Sequence, residues 1–301
     1  MKHWINDMKI KKAVIPVAGK GTRFLPATKQ IPKEMIPLVD RPMIHYAVEE
    51  AVKAGIEQII FVISSGKECI ENYFDRNMEL EAFLKENEKT DLLKMIKEVG
   101  TMINVCSVRQ KEQLGLGHAV NCAREVIGNE PFAVILGDDL VISDIPVTKQ
   151  LIDIFEREGE KSVIGVMEVP IEETSKYGIV KGNFLKNDDK TMLMKTMVEK
   201  PLPSVAPSNL ATPGRYILTP QIFDCLDKIE RGAGGEYQLT DAINMLAEKE
   251  KVYAHIFNGD RFDTGSIEGY LRAVLEFAIN DPTKKELMTK IIKEVTLKYN
   301  L

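Results

Sequence analysis

Residues 13–23 read AVIPVAGKGTR, an apolar run that stops at Gly19 and opens into a loop of Gly, Lys, Thr and Arg. The continuous apolar stretch 13–18 is the pattern of a parallel strand covered on both faces. A loop leaving such a strand at its carboxyl end is where open α/β sheets usually bind ligands. From Met43 the period changes, and Ile44, Ala47, Val48, Ala51 and Val52 share one side of a helix that Gly55 is placed to cap. Further buried strands are predicted at 58–63, 104–108 and 133–136, with helical stretches at 67–98 and 117–126 between them. Strand and helix alternate, so the first half predicts a parallel sheet wrapped by helices.

The second half mixes patterns. A helix from Val147 is followed by a strand at 162–169 and by two strand-like pieces about the turn 187–189. Next come a Pro-, Ser- and Ala-rich loop at 201–213, a strand at 215–218 and a helix at 236–248. Leu271, Val274, Leu275 and Ala278 fit one face of a late helix, and the charged segment after Pro282 fits another, amphipathic one. There is no internal repeat and no low-complexity tract. The expected fold class is α/β: a Rossmann-like, mixed but mostly parallel central sheet flanked by helices, with a small β subregion and C-terminal helices. One domain over 1–278 and a helical appendage over 279–301 are expected.

Composition narrows the function. The 301 residues are 44% hydrophobic and 28% charged, as in an ordinary folded chain. A net charge of −5 gives no bulk attraction to nucleic acid or to an anionic membrane surface. Cys69, Cys106, Cys122 and Cys225 lack the paired spacing of a zinc or dithiol site. No apolar run approaches the ~20 residues that span a bilayer, and the start, residues 1–12, is charged and lacks a signal-peptide apolar region. A cytoplasmic location is expected by elimination.

The glycine loop fails two nucleotide fingerprints. The third glycine of a dinucleotide motif would fall at Phe24, and the order of residues is not that of a Walker loop. Lys20, Arg23, Lys29 and Lys33 could converge on a polyphosphate. Each charge pair at ~4 Å and an effective dielectric of ~20 gives about 4 kcal/mol before desolvation. The same residues also fit a turn with solvated lysines. Asp138 follows a strand directly, and Asp263 follows another apolar stretch. Two such acids suit Mg²⁺, which takes one or two carboxylates plus phosphates and water; each alone also fits a helix cap or a turn.

Residues 18–42, AGKGTRFLPATKQIPKEMIPLVDRP, resemble the signature of the sugar-1-phosphate nucleotidylyltransferases. The Pro-Ala-Thr-Lys and Pro-Lys-Glu-Met elements resemble the branch that joins UTP to glucose 1-phosphate. The resemblance spans about 13–278. It implies a nucleotide-binding half over about 10–140 and a sugar-binding half over about 141–265. Ala18, Gly19, Gly21 and Thr22 would form the nucleotide loop, Arg23 would bind the triphosphate and Lys33 would lie near the reacting phosphates. Asp138 and Asp263 would hold Mg²⁺, with Asp139 as a neighbour. Gln110 carries both a donor and an acceptor for the imide edge of uracil, and Gly115 would let the backbone approach the base. Gly178, Glu199 and Tyr216 would receive the sugar, and Lys200 its phosphate. Arg23, Lys33 and Lys200 are thus the expected catalytic residues.

The implied reaction makes UDP-glucose and pyrophosphate from UTP and glucose 1-phosphate with no covalent enzyme intermediate. Thymidylyl transfer to the same sugar, or a catalytically silent sugar-nucleotide-binding protein, are the alternatives. A nucleic-acid or membrane partner is not expected, and a homodimer or homotetramer is. Two positions depart from the pattern: Gln113 stands where proline is common, and Ile267 where a lysine usually follows the Asp-x-Gly element. His118 is expected to make local hydrogen bonds rather than act as a base, because a phosphate monoester is already ionised at neutral pH.

Overall fold

The computed structural model describes residues 9–300. Of the charged start on which the absence of a signal peptide was read, residues 1–8 lie outside the described residues. Parallel strands Asn104–Arg109, Gln58–Ile63, Lys12–Pro16 and Phe132–Ile135 lie side by side in that order at one end of a ten-stranded sheet. Arg215–Leu218 joins Phe132–Ile135 antiparallel, and the sheet continues through Val163–Glu168, Tyr253–Ile256, Thr191–Glu199, Gly178–Phe184 and Leu210–Thr212. The last strand also pairs with Val163–Glu168, so this end of the sheet folds over on itself. A separate antiparallel pair, Asp139–Ile142 with Asp260–Asp263, sets Asp139 opposite Asp263. The expected mixed sheet with flanking helices and a small β subregion is what the chain forms.

Alternation along each central strand divides the apolar side chains between two cores. Ala13, Ile15, Ile59, Phe61 and Ile63 face one side of the sheet. Val14, Ile60, Val62, Phe132 and Val134 face the other. Helix Met43–Lys53 covers the first side with Ile44, Ala47, Val48 and Ala51, all fully buried. Each Val, Leu or Ile buried this way contributes roughly 1.5–3 kcal/mol. Because the four neighbouring parallel strands share a direction, the segments after them, 17–36, 64–67, 110–115 and 136–138, emerge along one edge.

Four expectations need correction. The helix read at 117–126 is two pieces, Leu116–Cys122 and Arg124–Ile127, divided at buried Ala123. The loop 201–213 contains the strand Leu210–Thr212, because its short apolar triplet is buried in the sheet. The helix read at 236–248 begins at Leu239, since Gln238 before it is still extended. In helix Ile267–Asn280 the predicted face is split: Ala278 is buried, but Leu271 is 58% and Leu275 45% exposed. Val274 packs inward as expected, and the helix turns Ala273 and Phe277 inward in place of the two leucines, with Phe277 edge-on to Tyr46 at 4.8 Å. All four cysteines are free, and among the described residues no helix is long and apolar enough to cross a membrane.

His45 and His255 sit largely out of water, and burial is the main reason the pKa of each is lowered. A histidine with a folded pKa below its unfolded value stabilises the fold above that value and loses this contribution as pH falls. Between about pH 7 and about 5.5, across the ordinary histidine range, urea unfolding of a His45→Gln, His255→Gln double variant should therefore show its stability, measured relative to wild type, rising as pH falls; a constant difference would remove the histidines from the pH dependence.

Candidate functional site

The cluster is built around Gly265. A Cβ at that position would lie 2.8 Å from Asp138 Oδ2, 3.0 Å from Asp263 Oδ1 and 3.6 Å from Arg23 Nη1. Three charged groups therefore close on one spot that only a glycine leaves open. Arg23 reaches it from the single 3₁₀ turn Thr22–Phe24 and donates to the Gly265 carbonyl at 3.4 Å. That turn starts at Gly21, whose φ of 65° suits glycine and whose missing side chain gives room to Lys33 Cβ, 3.1 Å from where its own would be. Lys33 Nζ donates to Asp138 Oδ2.

Two charge pairs that were not singled out in the sequence hold this geometry. Arg215 is 0% exposed. Its Nε and Nη2 donate to the Glu50 carboxylate at 3.1 and 2.9 Å, while Nη1 and Nη2 donate to the carbonyls of Leu136 and Asp139 at 3.2 and 2.5 Å. The guanidinium thus grips both sides of the turn that presents Asp138. The Asp138 carbonyl accepts from Thr264 N at 2.9 Å and Thr264 Oγ1 at 2.8 Å, which ties the turn to the Asp263 segment. The second pair is Lys67 with Glu34, joined at 2.8 Å and buried; Lys67 Nζ also donates to the Val17 carbonyl. It fixes the turn of Lys33 to the end of the first strand. The signal for both is a charged residue inside an otherwise apolar or tightly turned stretch, as in Arg-Tyr-Ile-Leu at 215–218.

Electrostatics differ sharply between neighbours. Burial pushes Asp138 upward, but Lys33 and its hydrogen bond outweigh it and hold the carboxyl below the usual range. Burial would lower Lys33, yet Asp138 and then Glu34 leave its ammonium above the ordinary lysine value. Asp139, bonded to Arg261 Nε at 2.5 Å, is still pushed up to about 7 because its burial outweighs that cation.

Arg23, Asp138, Asp139, Gly178, Glu199, Lys200, Tyr216 and Asp263 all line one cleft of about 810 Å³. Gly178 pairs with Glu199 across the strands Gly178–Phe184 and Thr191–Glu199. Glu199 Oε2 accepts from Thr240 Oγ1 at 2.6 Å, and Lys200 Nζ lies 3.6 Å from Glu199 Oε1. Tyr216 is buried, which raises its phenol pKa and keeps it protonated. A second cleft contains Gly19, Lys20, Lys29, Gln110 and Gln113. The four loop cations are therefore not one cluster: Arg23 and Lys33 meet the carboxylates, while Lys20 and Lys29 line the neighbouring cleft. Gln113 Nε2 donates to the Ala18 carbonyl at 2.6 Å.

Gln110 is buried rather than solvated, with Nε2 3.1 Å from the Gly115 carbonyl and 3.0 Å from His118 Nδ1. Gly115 has φ 99° and packs against Glu236 and Tyr237, so its lack of a side chain is already used by the protein. Thr22 begins the Arg23 turn, and Ala18 is buried. Ile267 is exposed at the start of its helix, behind the N-cap Ser266, which itself lines the first cleft. Among the described residues no group of three or more His, Cys, Asp or Glu could hold a metal. The donor set at Gly265 is two carboxylates, which fits a hard divalent ion completed by phosphate oxygens and water.

A crevice of cations and acids at the carboxyl edge of the parallel strands of a mixed sheet defines a nucleotidyltransferase. The nucleotidyl transferase family model matches residues 12–279, and the chain belongs to that family. A UTP–glucose-1-phosphate uridylyltransferase of Staphylococcus haemolyticus is 52% identical over 287 residues, covering 95% of this chain and 99% of its own. A UTP-bound UGPase from Acinetobacter baumannii has a TM-score of 0.87 at 46% identity, covering 95% of this chain and 99% of its own. A UDP-glucose pyrophosphorylase complexed with UDP-glucose has a TM-score of 0.82 at 45% identity, covering 89% and 98%.

Removing one partner of a buried ion pair strands the other, at a cost of about 3–5 kcal/mol, whereas replacing both by apolar residues is often tolerated. Arg215→Met alone is expected to lower the melting temperature strongly, and Glu50→Leu with Arg215→Met to recover most of the loss. Activity should not recover with it, since the carbonyls beside Asp138 stay ungripped. Recovery of both would show that the pair serves the fold alone.

Proposed function

We propose that the protein transfers the uridylyl group of UTP to glucose 1-phosphate, forming UDP-glucose and releasing pyrophosphate. The observation that carries this reading is the convergence of Arg23, Asp138 and Asp263 on Gly265, with Lys200 lining the same cleft. The names of the relatives, UTP-using and glucose-1-phosphate-using, support the choice of nucleotide and sugar over thymidylyl transfer. A phosphate oxygen of the sugar attacks the α-phosphorus of UTP; a new P–O bond forms as the bond to the β-phosphate oxygen breaks, and the electron pair leaves with pyrophosphate. The nucleophile is already ionised, so no side chain has to remove a proton.

Two anions must be brought together, and this sets the roles assigned to the chain. Arg23 takes the triphosphate, Lys33 the reacting phosphates and Lys200 the phosphate of the sugar, which offsets like-charge repulsion and holds the reactants in line. Glu199, Gly178 and Tyr216 receive the sugar; Ala18, Gly19, Gly21, Thr22, Gln110 and Gly115 receive the nucleotide. Asp138 and Asp263 would hold a divalent cation, taken to be Mg²⁺, which when bound neutralises charge on the phosphate oxygens. The division into a nucleotide half, 10–140, and a sugar half, 141–265, belongs to this reading, with Arg23, Lys33 and Asp138 on the first and Gly178, Glu199 and Lys200 on the second. So do a homodimer or homotetramer, supported by exposed Leu271, Leu275, Leu287 and Ile291, and a cytoplasmic setting, supported by four free thiols.

Incubation with UTP, glucose 1-phosphate and Mg²⁺ should release pyrophosphate and build UDP-glucose, with dTTP a much poorer donor. Lys200→Ala should lower kcat/KM on the order of 10²–10³-fold, as expected when a charge-stabilising group is lost, and leave the melting temperature intact because the side chain is 61% exposed. Failure to release pyrophosphate would defeat the assignment.

A further inference from the structure

The acids and Lys200 belong to different sheets. Asp139 and Asp263 face each other in the two-stranded sheet, whereas Glu199 ends a strand of the ten-stranded sheet and leads into Lys200. In-line transfer requires the two groups to keep a fixed separation. Arg215 already ties the backbone of Asp139 to the ten-stranded sheet, and Arg261 adds a link from the acids to the segment that carries Lys200. Its Nε donates to Asp139 Oδ1 at 2.5 Å and its Nη1 to the Tyr177 hydroxyl at 2.7 Å, with the guanidinium 5.1 Å from the centre of the Tyr177 ring. The Tyr177 carbonyl then accepts from Lys200 N at 2.9 Å.

Lys200 has a backbone strain that needs such a hold. Its φ is 45°, in the left-handed region that a residue with a side chain adopts at a cost and keeps only where surrounding contacts impose it. Its side chain is 61% exposed, with Glu199 Oε1 3.6 Å away. An exposed pair of this kind constrains geometry little. The backbone bond to Tyr177 is therefore the firm contact that aims Lys200. Tyr177 is itself held at its amide by the Thr174 carbonyl at 3.2 Å.

Resting on the reading of Lys200 as the sugar-phosphate cation, we propose that Tyr177 and Arg261 are a positioning pair. They set Lys200 at its working distance from the Asp138 and Asp263 carboxylates. Neither residue was singled out as a site residue in the sequence for this role, and neither has to touch the reacting atoms to fill it. Tyr177→Phe removes one hydroxyl, keeps the ring beneath Arg261 and leaves the charge of the cleft unchanged. Arg261→Lys keeps the cation but cannot reach two partners in a fork.

The test is steady-state kinetics of the full chain with UTP and glucose 1-phosphate, alongside calorimetric binding of UTP and thermal melts. Tyr177→Phe is expected to lower kcat and raise KM for glucose 1-phosphate, about tenfold in kcat/KM for that substrate, with KM and affinity for UTP within about twofold. In a Lys200→Ala background the same change should do almost nothing, because coupled residues are non-additive. Arg261→Lys should repeat the pattern. Wild-type kinetics for Tyr177→Phe, or a full further loss on top of Lys200→Ala, would overturn the positioning role while leaving the assigned reaction intact. A Lys200→Ala variant with unchanged KM and kcat for glucose 1-phosphate would overturn both, since Lys200 would then have no phosphate to hold.

Discussion

The fork of Arg215 is the contact on which the catalytic geometry hangs. A guanidinium fully out of water is costly, and the attraction of Glu50 returns that cost only with good geometry and further acceptors for its remaining donors. Here Nε, Nη1 and Nη2 all find acceptors, and two of those acceptors are the carbonyls that flank the Asp138 turn. The same Glu50 carboxylate accepts from Thr148 N and Oγ1 at the start of helix Val147–Arg157. One ion pair therefore ties a helix start, a strand of the ten-stranded sheet and the turn before the two-stranded sheet. An apolar pair of the same volume could fill the space, but it has no donors to offer the carbonyls.

With that turn held, the cleft has to reconcile three carboxylates with one another. Asp138 and Asp139 are adjacent in sequence and move in opposite directions, which shows what decides a buried carboxyl. Both are pushed up first by burial. For Asp138 the direct bond from Lys33 and the Coulomb attraction of that ammonium are larger in sum, and the acid stays ionised. For Asp139 the attraction of Arg261 is smaller than the desolvation penalty, and Asp138 and Asp263 beside it add repulsion. At effective dielectrics near 20 a pair at ~4 Å is worth about 4 kcal/mol, the same order as the burial of one charge, so a single contact reverses the outcome.

The architecture was legible wherever local pattern and burial agree. The strand at 58–63 and the helix from Met43 lie where their apolar periods put them, because both faces or one whole arc meet the core. Helix Ile267–Asn280 was misread because its apolar residues occupy more than one arc, and periodicity does not say which arc meets a neighbour. The strand Leu210–Thr212 was hidden because three residues in a Pro-rich segment carry too little pattern; its pairing partners lie tens of residues away. At the site, Arg23, Asp138, Glu199, Lys200 and Asp263 were found by motif, and the structure brings them to one cleft. Glu34, Glu50, Lys67, Arg215 and Arg261 were not chosen for their positioning contacts, since these depend on partners 33 to 165 residues distant. No local spacing encodes such a meeting.

Lys33 and Lys200 show two ways of placing a cation. Lys33 is anchored through its ammonium: the chain is short of water, Asp138 receives the proton donor, and Glu34 beside it stays fixed by Lys67. A lysine held this way has little freedom, and its bond to Asp138 is strengthened by the low local dielectric. Lys200 is anchored through its amide and its unusual φ, leaving the side chain free to follow a ligand. The first arrangement suits a group whose position must not change, next to acids that would otherwise repel. The second suits a cation that must meet a sugar phosphate arriving from solvent, where a rigid ammonium would obstruct entry and a fully mobile backbone would sacrifice alignment.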